Sequence, residues 1–114
     1  MIRSNCSFDA KESEDVLVLT LHGEIDHHNA VRMRTEMDGL IYEKQPKKTV
    51  LDLSEIEFMD SSGLGLIMGR YALMISMGGE LTLRNPNERI VKIFRLAGLQ
   101  RMVKIEEEQK EEKQ

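Results

Sequence analysis

At 114 residues and 13.1 kDa the chain fits one domain, large enough to bury about two-thirds of its unfolded surface without disulfide or metal staples. Hydrophobic residues at 40% and charged residues at 32% exclude a disordered body, while aromatics at 4% and eight methionines describe an aliphatic, adaptable core. Three of the four net negative charges fall in residues 106–114, which hold five Glu against two Lys; the near-neutral body lacks the basic footprint that nucleic-acid binding needs.

The opening Met-Ile-Arg-Ser-Asn-Cys-Ser lacks the apolar centre of a secretory signal, and no apolar run approaches a membrane span, so a cytoplasmic protein is expected. Residues 4–11 alternate weakly and residues 16–21 are dense in β-branched and aliphatic side chains, with Glu12-Ser-Glu-Asp15 between them, which predicts an antiparallel hairpin. Cys6 is the single cysteine, so neither an internal disulfide nor a cysteine-based zinc site can form, and it reads as a small strand residue. After Gly23 a polar loop at residues 24–29 leads into a helical stripe of Ala30, Met33, Met37, Leu40 and Ile41, capped by Asn29 or by Asp26 slightly earlier. Pro46 ends that helix, and Thr49-Val-Leu-Asp-Leu53 is apolar enough for a buried central strand.

A second stripe follows in Leu64, Ile67, Met68, Tyr71 and Ile75, stopped by Gly78-Gly79. Residues 80–84 alternate as a strand, Asn85-Pro-Asn87 turns the chain, and Ile90, Val91, Ile93, Phe94 and Ala97 form a third helical stripe ending near Gly98. Val103-Lys-Ile105 adds a last short strand. Past the hairpin the order β-α-β-α-β-α-β implies parallel pairing and right-handed crossovers. The expected fold is thus a single α/β domain over residues 1–105: a mixed, mostly parallel sheet of four or five strands, the first antiparallel, with helices packed against it. Residues 106–114 form an acidic, flexible tail in this reading. Loops that leave the C-terminal ends of parallel strands share one edge, so residues 24–29 and 55–62 are expected to lie close together.

Several constellations invite chemistry. Gly63-x-Gly65-x-x-x-Gly69 suggests a dinucleotide loop, but ten residues separate the expected strand end at Leu53 from Gly63, and Asp60 would face the phosphates. Gly65 and Gly69 are expected instead to let a helix approach its sheet or a partner closely. His22, His27 and His28 raise metal binding, yet adjacent loop side chains diverge and no carboxylate stands at a helical i, i+4 spacing; a turn with polar tips fits better, with no metal or cofactor. Glu24, Asp26 and Asp60 converge on one edge, but nothing pairs a nucleophile with a base, so the chain is not read as an enzyme. Arg89, Lys92 and Arg95 recur every three residues and read as a solvated helix face rather than a patch for anions or acidic partners.

Phe58-Met-Asp-Ser-Ser-Gly-Leu-Gly65 carries the most information, because Ser61 and Ser62 stand behind Asp60 at the mouth of the second helix. A serine at a helix start is routinely a cap that contributes about 1 kcal/mol. It is also an exposed hydroxyl where a phosphate would add about −1.5 to −2 charges and three acceptors without unfolding the domain. On the residues alone, cap and cap-plus-switch both stand.

Gly23-Glu-Ile-Asp-His-His28, Leu51-Asp-Leu53, Phe58-Met-Asp-Ser-Ser-Gly-Leu-Gly65, Gly69-Arg-Tyr71 and Gly78-Gly-Glu80 together resemble the anti-sigma factor antagonists of the STAS family. The likeness runs to about Ile105, with no departure in the Asp-Ser-Ser-Gly-Leu-Gly block, and Asp-His-His with Gly-Arg-Tyr is most similar to the sporulation-type antagonists. The resemblance implies a non-enzymatic partner-switching protein: the unmodified antagonist binds a serine kinase that is also an anti-sigma factor, freeing the sigma factor. The kinase then phosphorylates the antagonist, and a serine phosphatase restores it. The phosphorylated serine maps to Ser61 and the acidic loop residue beside it to Asp26; Asp26, Asp60, Ser62 and Gly63 are expected at the partner surface. No cofactor, nucleic acid or membrane is implied, and the free protein is expected to be a monomer. Two alternatives are a stress-response antagonist or scaffold STAS protein that shares Ser61 but meets another kinase, and a small nucleotide-binding protein using residues 63–69.

Overall fold

The structure, a computed structural model, describes residues 5–107. Its elements are β1 (Cys6–Ser13), β2 (Val16–Ile25), α1 (Ala30–Lys44), β3 (Lys48–Met59), α2 (Ser61–Ser76), β4 (Glu80–Arg84), α3 (Glu88–Leu96), a 3-10 turn at Leu99–Arg101, and β5 (Lys104–Glu106). The five strands lie side by side in chain order, with β1 antiparallel to β2 and every later pair parallel. This is the mixed α/β sheet expected from the element order. Ser4 and residues 108–114 of the expected tail lie outside the described residues; Glu106 is the last residue of β5, and its carboxylate accepts from Arg84 Nε at 3.2 Å.

The hairpin turns on Glu14 and Asp15, with Ser13 opposite Val16 and Glu14 at φ 56°. Along β2, Leu17, Leu19 and Leu21 are buried on one face, and their partners on β3 and β4 extend that face through Leu51, Leu53, Leu81 and Leu83. Three right-handed crossovers that step the same way across a sheet place their helices on the same side. The core is therefore a single layer between these leucines and the inward stripes of the helices: Met33, Met37 and Ile41 from α1, Leu66, Ile67 and Met74 from α2, Ile90 and Phe94 from α3. Cys6 is buried in the same cluster as a small strand residue.

Two expectations are corrected. The central strand does not end at Leu53 but runs on to Met59, alongside β2 after β4 has stopped at Asp52 and Arg84. Ser54, Glu55 and Glu57 in that overhang are exposed, so their polar character resembles a loop while the backbone remains a ladder. The inward face of α2 is centred on Gly63, Leu66, Ile67, Arg70 and Met74; of the expected stripe Ile67 lies on it, Leu64, Met68 and Tyr71 pack partly buried at its edge, and Ile75 is half exposed. This helix is apolar on nearly every side, so periodicity alone does not choose its buried face. A buried cation does: Arg70 reaches across to α1, with Nε 2.7 Å from Asp38 Oδ1 and Nη2 3.3 Å from Oδ2. Desolvation of the buried guanidinium lowers its pKa, and the Asp38 carboxylate opposes that shift.

Candidate functional site

The site is built where β2 and β3 end side by side. Their last paired residues are Ile25 and Met59, and Asp60 N–H donates to Ile25 C=O at 3.2 Å, which brings the loops after both strands together as expected for residues 24–29 and 55–62. Asp26 opens the first loop. Its Oδ1 accepts from His28 N–H at 2.9 Å and Asn29 N–H at 3.2 Å, while Asn29 Oδ1 accepts from Asp26 N–H at 3.1 Å and Asn29 Nδ2 donates to Glu24 C=O at 2.9 Å. The two residues left open as caps brace each other and the turn ahead of α1. Asn29 holds the position before α1 without a side-chain cap bond; the Asp26 side chain takes the amide hydrogens of the turn, and its carbonyl accepts from Ala30 N–H at 3.0 Å.

On the second loop the cap is Asp60, not a serine. Its Oδ1 accepts from Ser62 N–H at 2.8 Å, and Gly63 N–H bonds Asp60 C=O at 2.8 Å. A carboxylate at this position complements the positive end of the helix as well as capping it. Ser61 and Ser62 become the first two residues of α2, Ser61 exposed and Ser62 half-buried. Ser61 therefore carries no capping duty, and its hydroxyl is presented to solvent on a fixed backbone. Gly63, expected at the partner surface, is buried: a Cβ there would meet Met59 Cβ and Sδ at 2.7 Å. Cβ atoms at Gly65 and Gly69 would meet nothing within 4 Å, so neither glycine serves a close approach to the sheet. Of the two grounds against a dinucleotide loop, the spacing falls away, since β3 leads into α2 through Asp60 alone, and the second stands: the Asp60 carboxylate sits where a phosphate would bind.

Sequence reasoning missed the apolar rim of the site. Phe58 is 43% and Val31 59% exposed, and a shallow depression between α1 and α2 is lined by Ala30, Val31, Arg34, Ser62, Gly65 and Leu66. Val31 lies off the apolar stripe of α1, which is the signal that could have marked it. His27 and His28 do not diverge; their rings lie 4.0 Å apart, exposed, with His28 Nδ1 3.9 Å from Asp26 Oδ1. Among the described residues no three His, Cys, Asp or Glu side chains gather as a metal would require, and no helix is long and apolar enough to cross a membrane.

Known proteins are similar to this chain in sequence and in fold. The chain is 37% identical over 101 residues to the anti-sigma F factor antagonist of Paenibacillus polymyxa, covering 89% of this chain and 86% of the relative. It is 31% identical to the anti-sigma-B factor antagonist of Bacillus subtilis, covering 89% and 91%. The unphosphorylated form of the anti-sigma factor antagonist SpoIIAA superposes with a TM-score of 0.78 at 27% identity over 91% of this chain and 90% of that one. The phosphorylated form of the Bacillus SpoIIAA gives 0.73 at 27%, over 91% and 93%. The STAS domain model matches residues 7–112, and the chain belongs to the STAS domain family.

Proposed function

We propose that this chain is an anti-sigma factor antagonist whose unmodified form binds a serine-kinase anti-sigma factor and releases a sigma factor, and whose switch is phosphorylation of Ser61 by that kinase. The observation that carries this reading is the placement of Ser61: exposed, first in α2, behind the Asp60 cap and beside the Asp26 loop. The antagonists named above support it, as does the existence of a phosphorylated SpoIIAA. The partner surface runs from Asp26 and Asp60 across Ser61 and Ser62 onto Val31 and Gly65, with Gly63 packing beneath it. The domain itself catalyses nothing; it is its partner's substrate, works in the cytoplasm, and is reset by a serine phosphatase. Sporulation is the process it serves, in keeping with the sigma F antagonist among its relatives.

Release follows from electrostatics. At a bound interface a phosphoserine would be pressed out of water next to the Asp60 and Asp26 carboxylates, which disfavours the complex through repulsion and desolvation. A loss of about 3 kcal/mol weakens binding by over 100-fold. The fold need not change, because the group is added to the exposed surface of a helix N-terminus.

Incubation with the partner kinase and ATP tests the site: wild type and Ser62→Ala are expected to be labelled and Ser61→Ala not, and equal labelling of Ser61→Ala would end this reading. Ser61→Asp is expected to lose about 100-fold in kinase affinity by calorimetry while its unfolding free energy moves by no more than about 1 kcal/mol, as an acidic group in the first helical turn is tolerated. Wild-type affinity in Ser61→Asp would show that charge is not the switch. The sigma-B antagonist relative favours one second reading, a stress-response role with another kinase, which pull-down against both kinds of kinase separates.

A further inference from the structure

β3 carries two irregularities that bear on where Ser61 points. Its register with β2 jumps from Thr20 opposite Asp52 to His22 opposite Glu55, and again from Gly23 opposite Ile56 to Glu24 opposite Phe58. The second jump leaves Glu57 as an extra residue, a β-bulge four positions before Ser61. A bulge bends and twists its strand and re-aims the side chains that follow it. Beside the bulge, Gly23 of β2 has φ 98°, a backbone that L side chains rarely adopt, and a Cβ there would collide with the Asn5 carbonyl on the β1 side.

On the other side β4 has already ended, so β2 alone pairs with the bulged stretch. Asn87 fills that side. Its Nδ2 donates to Ile56 C=O at 3.3 Å and to Glu57 C=O at 3.1 Å, while its Oδ1 caps α3 by accepting from Ile90 N–H at 2.9 Å. Consecutive carbonyls of a regular strand point to opposite sides, so one amide can take both only because the chain is bulged there. A single side chain thus fastens the bulge with its nitrogen and α3 with its oxygen. Without the nitrogen the bulge is free to slip, and a shift of one residue in register exchanges the faces on which the following side chains, Phe58 first among them, project.

We propose that Asn87 is a positioning residue for Ser61: its amide nitrogen locks the Glu57 bulge and so sets the direction in which Phe58, Asp60 and Ser61 are presented to the kinase. This rests on the reading of Ser61 as the phosphorylated residue. Asn87→Asp and Asn87→Ser separate the two duties of the side chain, since both remain good helix caps, while ionised Asp has no hydrogen to donate and the shorter Ser side chain cannot cap α3 and reach Ile56 and Glu57 at once. Both are expected to keep the wild-type thermal midpoint within a few degrees and to speed amide hydrogen exchange through residues 57–62 about tenfold. Their phosphorylation by the partner kinase is expected to fall about tenfold in kcat with KM little changed, because the docking rim on α1 and α2 is intact while the hydroxyl is misaimed. Exchange at residues 57–62 equal to wild type in both variants would overturn the proposal, as would unchanged kcat. Should either variant lose its cooperative transition, the other decides. A wild-type protein that the kinase does not label at Ser61 would instead refute the phosphorylation reading, and the exchange comparison would still judge the Asn87 clamp.

Discussion

Asp60, Ser61, Gly63 and Gly69 stand in different surroundings, and substitutions should sort accordingly. Gly63→Ala would drive a methyl against Met59 Cβ, which is backbone-fixed and cannot move away as a flexible side-chain end can; a loss of about 1–3 kcal/mol is expected in urea unfolding. Gly69→Ala has open space around it and removes the backbone entropy of a mid-helix glycine, so a gain of about 0.5–1 kcal/mol is expected in the same assay. Equal effects at the two positions would show that helix propensity, rather than the Met59 contact, governs both. The motif's spacing was legible in the sequence, but the division of labour within it was not. Asp, Ser and Gly are all ordinary helix-start residues, and only the hydrogen bond from Ser62 N–H to Asp60 shows that the carboxylate caps and frees the Ser61 hydroxyl.

At the scale of elements, α1 and α2 are joined by more than apolar packing. The Arg70 side chain is 5% exposed and its charge is answered by Asp38, so removing the carboxylate alone leaves a buried cation uncompensated. Asp38→Ala is expected to cost about 3 kcal/mol or more, whereas Asp38→Leu combined with Arg70→Met should recover most of that loss; denaturant midpoints of the two variants and wild type check it. Arg70 is also the clearest case of an inward position that patterning conceals, because a charged residue on an apolar helix reads as its solvent face. The overhang of β3 was hidden for the converse reason. Ser54, Glu55 and Glu57 face water and resemble a loop, yet their backbone is held by β2 and, at Glu57, by Asn87. Asn87 itself reads as a turn residue in Asn85-Pro-Asn87; its reach to a strand thirty residues away is a tertiary fact.

For the molecule as a whole, the order of elements and the α/β class were readable because each helix and strand has its own apolar period and the connections leave little topological choice. Global stability should also respond to one buried thiol. Burial raises the pKa of Cys6, with Arg32 lowering it and Asp26 raising it further, so the folded state holds its proton longer than the unfolded chain does. Below the unfolded thiol's pKa of about 8.5 the contribution is complete; above it the unfolded chain ionises first, and stability falls by up to about 1.4 kcal/mol for each pH unit until the folded thiol also ionises. Urea unfolding at pH 7.5 and 9.5 is expected to show a larger alkaline loss in wild type than in Cys6→Ala, and parallel losses would remove Cys6 as the cause. The chain-order sheet carries a consequence for the protein's birth. Every strand that leaves the ribosome finds its neighbour already made, so the sheet can grow outward from the hairpin without waiting for distant sequence. Asn87 is the exception, since it is synthesised after β4 yet fastens β3. The surface around Ser61 is thus not fastened until the start of α3 has been made, well after its own strand has left the ribosome.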